Sequence, residues 1–187
     1  MGMKEETCIV LDFLLNGYPD QRHAEPIAQV IGTSHFSLLE IVPREDASPK
    51  EEDEFYIGEG KRDHVKFIKG MLEYRSLTNQ AKSILPAVVE ALVKKNEQQF
   101  VEFFNKGRMI TPRMHQFQLL HGVGKKHLLD ILEERRKRPF ESFADIATRV
   151  KMFPDIVKTL SKRVLQELEG NEKYYLFTPM PRRQNER

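Results

Sequence analysis

The chain has 187 residues, 40% of them apolar, with one cysteine and a formal net charge of +2 at pH 7. That is enough for one large or two small domains with a genuine core. The lone Cys8 excludes a disulfide framework and a thiolate zinc site, and no apolar run reaches membrane length or reads as a signal peptide, which points to a soluble, cytoplasmic protein without a membrane partner.

In chain order, Met1 to Glu6 reads as a disordered start. Cys8 to Leu15 is a short apolar run closed by the turn pair Asn16-Gly17, which predicts a strand. Ala24 to Ile31 and His35 to Val42 read as two more strands, joined at Gly32-Thr33-Ser34. Pro43 to Glu54 is acidic and nearly devoid of apolar residues, as a mobile loop is. Phe55 to Ile57 and Val65 to Tyr74, the latter interrupted at Gly70, complete five strands. Five strands with these turns over residues 1–78 predict a small β-barrel or sandwich. Five-stranded barrels of the OB-like kind, one of many folds that five strands fit, bind oligonucleotides on one face. Tyr18, Phe36, Tyr56 and Tyr74 are the candidates for stacking on bases, although core packing is the commoner fate of any one aromatic.

Leu77 to Lys106 reads as helical, with Pro86 starting or kinking a helix, Asn96 and Gln99 forming a capping box, and Gly107 ending the second helix. Residues 79–107 thus connect the β domain to an all-α domain over 108–170. There Thr111-Pro112 predicts an N-cap and first helical position, opening a short helix to Leu120. His121-Gly122-Val123-Gly124 breaks it, and Lys125 opens a second helix with Leu128, Leu129, Ile131 and Leu132 at helical spacing. Val123 can plug between the helices. The N–H groups of Val123 to Lys126 would then meet a phosphate oxygen at a helix N-terminus, with Lys125 and Lys126 adding charge. The candidate nucleic-acid-binding residues are Gly122, Val123, Gly124, Lys125 and Lys126, flanked by His121, His127 and Arg113.

Ser142 to Asp145 is a capping box opening a helix through Val150, Lys151 to Asp155 is a second turn, and Asp155 to Leu168 is a last helix. Met152 and Pro154 stand where the first turn has glycines, so this second unit is degenerate. Residues 171–187 are expected to return a strand, Lys173 to Phe177, to the N-terminal sheet and to end in a disordered basic tail.

Charge divides along the chain. Residues 1–60 carry 4 Lys and Arg against 13 Asp and Glu, whereas residues 107–168 carry 13 against 7. A basic half holding the Gly-Val-Gly turn is the footprint of a polyanion binder. His115, His121 and His127 recur every six residues, a spacing that leaves one helical face, so no metal site is expected, nor any cofactor.

The Gly-Val-Gly turn, with Leu120, Lys126, Ile131 and Leu132 around it, resembles the helix-hairpin-helix, a motif that binds nucleic acid without reading sequence. Leu128 and His121 depart from it, where a small residue and proline are usual. The order of elements is similar to an archaeal family of unknown function. That family consists of predicted RNA-binding proteins with an OB-like domain and a tandem helix-hairpin-helix domain. The marks are Leu120 to Gly124, Ile131 to Arg135, Pro139 to Ile146 and Lys162 to Val164. The resemblance implies an α+β, non-catalytic nucleic-acid binder, RNA rather than DNA, linked to translation. Two other readings compete. In base-excision DNA glycosylases with this hairpin, a catalytic lysine stands where Lys126 is and an aspartate near Asp145. A protein-interaction scaffold would dock through its acidic half on a ribosomal or transcription component.

Overall fold

The structure, a computed structural model, describes residues 4–19 and 25–181. It is an α+β protein with a curled five-stranded antiparallel sheet and five α-helices. By contact density it divides into two compact units, Met1–Val88 with Gln166–Arg187, and Val89–Leu165.

In the first unit the strands are β1 (Thr7–Leu14), β2 (Ile27–Gly32), β3 (Leu38–Pro43), β4 (Glu54–Tyr56) and β5 (Val65–Met71). Their spatial order is β4-β1-β2-β3-β5, with every neighbouring pair antiparallel. All twelve residues of β2 and β3 are buried, so the two central strands are covered on both faces and read as apolar runs interrupted by Gln29 and Glu40. Cys8, Val10, Val30, Leu39, Ile41 and Phe55 meet in the core. Burial pushes the Cys8 thiol up to about 12, so it sits there as a small apolar group. A bulge places Lys69 opposite no partner in β3, beside the predicted interruption at Gly70. The expected start of β2 at Ala24 lies outside the described residues.

Two expectations fail in this unit. Glu5 is not part of a disordered start: it is buried, and its carboxylate accepts from the N–H groups of Ser34 (2.9 Å), His35 (3.0 Å) and Ser37 (3.1 Å). These bonds hold the β2–β3 turn, in which Phe36 takes the left-handed φ of 56°. Residues 173–177 do not form a strand on the sheet. Glu167, 1% exposed, collects the N–H groups of Leu176 (2.7 Å), Phe177 (2.9 Å) and Thr178 (3.0 Å) instead. These amides are bound by a side chain, so this backbone needs no ladder partner for them. Of the tail expected to be disordered, Pro179 to Pro181 are described and the rest lies outside the described residues.

Of the stacking candidates, Phe36 is fully buried. The Tyr18 hydroxyl donates to Glu40 (2.7 Å) and accepts from Gln29 (2.9 Å). Tyr74 lies under Lys82, and Tyr56, 38% exposed, accepts from the N–H of Gly60.

The helices are α1 (Asn79–Lys95), α2 (Glu97–Lys106), α3 (Lys125–Lys137), α4 (Phe143–Arg149) and α5 (Ile156–Glu169). Pro86 lies inside α1. Asn96 precedes α2 without a side-chain capping bond, whereas Ser142 caps α4, accepting from the N–H of Asp145 at 3.0 Å. The expected box is half made, because the Asp145 carboxylate accepts from the Glu141 N–H instead. The helix expected from Thr111 to Leu120 is absent. A two-stranded hairpin, β6 (Met109–Thr111) and β7 (Met114–His115), occupies that place, followed by a single 3-10 turn over Gln116–Leu119. Pro112 serves as a turn residue, where its fixed φ suits the bend. The cap is His115: its Nδ1 accepts from Phe117 N–H, and Gln118 accepts from the His115 N–H at 2.7 Å. No helix among the described residues is long and apolar enough to cross a membrane.

Candidate nucleic-acid interface

The second unit carries 16 Lys and Arg against 9 Asp and Glu over residues 89–165, net +7. Its core packs Phe104 on Phe117 (5.5 Å between ring centroids), with Phe103 and Phe153 edge-on to that pair. Arg135 reaches from α3 to the open end of α2, donating to the carbonyls of Phe104 (3.2 Å) and Gly107 (2.8 Å), where a cation also meets the helix dipole. Gly107 is needed for space: a Cβ there would lie 2.5 Å from the Phe117 ring.

Around this core sit two turns of the same build. In the first, Val123 N–H donates to the Leu120 carbonyl (3.1 Å) and Gly122 has φ 77°. In the second, Phe153 N–H donates to the Val150 carbonyl (3.4 Å) and Met152 has φ 57°. Both are four-residue turns with a left-handed third residue. Each then sends an apolar residue inward and opens a helix. Val123 is 7% exposed, so its side chain is buried at the turn, but the helix expected before it is absent and it does not plug between two helices. The turns touch: the His127 ring bonds the Met152 carbonyl (3.1 Å), and a Cβ on Gly122 would lie 3.5 Å from the Pro154 ring.

The two helix starts differ. At α3, Gly124 is the N-cap and supplies no side chain, and the first helical bond is Leu128 N–H to the Gly124 carbonyl. The N–H groups of Lys125, Lys126 and His127 therefore precede the first helical donor and have no helical carbonyl to bond. Gly124 has φ −89° and open space where a Cβ would be, and the Lys125 and Lys126 side chains are exposed. At α5, Asp155 fills the corresponding place with its own carboxylate, accepting from Lys158 N–H at 2.9 Å. One start is open to an anion and the other is closed by one.

The predicted residues fall as follows. Gly122, Gly124, Lys125, Lys126 and His121 lie together on the exposed first turn. The Val123 N–H does not face outward as expected, because closing the turn consumes it. His127 is half-buried and faces the second turn. Arg113 is exposed at the tip of the β6–β7 hairpin rather than in a helix. His115 is buried, and burial, reinforced by the nearby Arg135, holds its pKa below the usual imidazole range. Among the described residues no group of three His, Cys, Asp or Glu could hold a metal. Lys151 and Lys158, exposed on the second turn and the helix after it, escaped the sequence reading; their signal was the pairing of that turn with the first.

Two further residues brace the fold from inside. Arg149, whose side chain is 10% exposed, donates to the carbonyls of Glu134 (2.5 Å), Arg138 (2.9 Å) and Pro139 (3.3 Å) and pairs with Asp145. It lies over the Phe140 ring as well. Asp145 also holds Arg138 and the Glu141 N–H. Its carboxylate thus bridges α4 to the chain leaving α3.

The comparisons with known proteins agree with one another. The family described as "Protein of unknown function (DUF655)" matches residues 4–179. The uncharacterized protein MJ0038 of Methanocaldococcus jannaschii is 42% identical over 170 residues, which is 90% of this chain and 77% of that one. The crystal structure of Af1531 from Archaeoglobus fulgidus, of the same family, is 47% identical; it superposes with a TM-score of 0.82 and covers 94% of this chain and 100% of that one. The chain belongs to the DUF655 family.

Proposed function

We propose that the protein binds nucleic acid without catalysis, docking a backbone phosphate on the Gly122–Lys126 turn as helix-hairpin-helix motifs do, and that its curled sheet is OB-like. The observation that carries this reading is the open start of α3: uncapped amides, a glycine with nothing over it, and two exposed lysines. A phosphate there satisfies orphan donors and meets the positive end of the helix. Lys151 and Lys158 add charge beside it. Such contacts position a backbone and read no bases, so binding should tolerate any sequence. RNA is the ligand that the family resemblance implies. The glycosylase alternative loses its activator, because the Asp145 carboxylate is spent on Arg138, Arg149 and Glu141.

Filter binding with mixed-sequence RNA and DNA of equal length tests the proposal. Wild type should retain RNA more tightly than DNA. Gly124→Ala, which puts a methyl group where the phosphate oxygen would sit, should weaken binding about fivefold or more at unchanged melting temperature. Undiminished binding by the variant would move the site elsewhere.

A further inference from the structure

The curled sheet of the first unit does not close. With five strands and every neighbour antiparallel, the edge strands β4 and β5 run in the same direction. They cannot pair antiparallel with each other, but a single strand antiparallel to β5 is antiparallel to β4 as well. Beside β5 lies a cleft of about 450 Å³ walled by Leu39 of β3, Ile68 and Met71 of β5, and Ile57 just after β4. A second cleft of about 780 Å³ shares Ser37, Met71 and Pro179 with it, so the two form one groove.

The groove has the features of a seat for an extended chain. β5 is an edge of seven residues, long enough to template another strand. Phe67 and Met71 on it are 39% and 55% exposed, and Met180 at the groove is 64% exposed. Ser37 is 4% exposed, yet its hydroxyl has no hydrogen-bond partner, an unmet demand inside the groove wall. The lining holds six glutamates against three basic residues, a balance of −3. Glu6 and Glu169 among them are exposed and in no ion pair among the described residues. Acidic walls and an apolar floor beside a strand edge match a chain whose side chains alternate between cationic and apolar.

We infer that this groove binds an extended segment of a partner protein, alternating basic with apolar residues, laid antiparallel along β5 as a sixth strand. Apolar side chains fill the cleft, and basic ones reach Glu6 and Glu169. The site is separate from the turn at Gly122–Lys126, and its test contains no nucleic acid.

Three labelled synthetic peptides titrated into the full chain decide the matter by fluorescence anisotropy. One alternates lysine with valine over about nine residues, one has the same composition with its lysines grouped, and one has glutamate for lysine. The alternating peptide should bind about tenfold more tightly than either control. It should also slow amide exchange in Val65–Met71. Glu6→Lys combined with Glu169→Lys should weaken it about fivefold, with the melting temperature unchanged. Equal binding of the grouped peptide, or protection confined to other segments, would overturn the inference. So would a chain ended at Pro181 that binds about tenfold more tightly than the full chain, because the groove would then belong to the protein's own basic end.

Discussion

Single buried carboxylates do the work of secondary structure at two places. Glu5 and Glu167 each gather three backbone N–H groups of an irregular segment, one closing the β2–β3 turn and the other fastening residues 176–178. Bonds to a charged acceptor are the stronger kind, and an amide left buried without one is costly. Glu167→Gln should therefore cost about 2–3 kcal/mol in denaturant unfolding and free residues 176–178 to fast amide exchange. A loss under about 0.5 kcal/mol would mean that packing of Phe177 alone holds the segment. His115 gives a pH test. Its folded pKa lies below the unfolded value near 6.5, so in that range the unfolded chain binds more protons. The stability it contributes is complete above about pH 6.5 and is lost as pH falls through the folded value. His115→Asn keeps an acceptor for the Phe117 N–H and removes the titration. Melting curves of the two proteins should diverge on acidification, wild type falling faster; parallel curves would show that His115 protonates freely in the fold.

The paired turns are the element-scale feature, and alike backbones carry unlike residues. Gly122→Ala meets only ordinary contacts but keeps a left-handed φ, so it should lose about 1 kcal/mol. Gly124→Ala has an extended φ and open space, so it should be neutral or slightly stabilising. Met152, 88% exposed at φ 57°, gains nothing from its side chain, so Met152→Gly should stabilise by about 0.5 kcal/mol. Thermal unfolding of the three variants checks the order; a stabilising Gly122→Ala would contradict the turn geometry. At this scale the sequence was legible where a signal is local. The Gly-Val-Gly turn, the Ser142 cap, the degenerate second turn and the alternation of β-branched runs with turn residues all act within a few positions. It was illegible at Thr111-Pro112, because the same pair opens helices and bends hairpins, and pairing of Met109 with His115 decided between them. His115 went unnoticed as a cap because imidazole seldom plays that part.

Across the whole molecule, charge and fold divide along the same line. The +7 of residues 89–165 leaves −5 for the remainder, so the acidic sheet unit repels what the basic helical unit attracts. The sequence showed this asymmetry directly. It did not show what ties each unit together, because those contacts span long separations: Glu5 to Ser37, Arg135 to Phe104, and Glu134 to Arg149. Nor could it show that the second turn caps itself with Asp155 while the first stays open. That contrast is the basis for placing phosphate at one turn alone. The most direct test is the salt dependence of RNA binding by the intact protein, wild type against Lys125→Ala combined with Lys126→Ala. Both side chains are exposed, so stability should change by less than about 0.5 kcal/mol. If a phosphate docks at the start of α3, the double variant should bind all sequences more weakly, and its slope of log K against log salt should be shallower by about one to two units. Unchanged affinity and slope would contradict the account and leave the turn a structural corner.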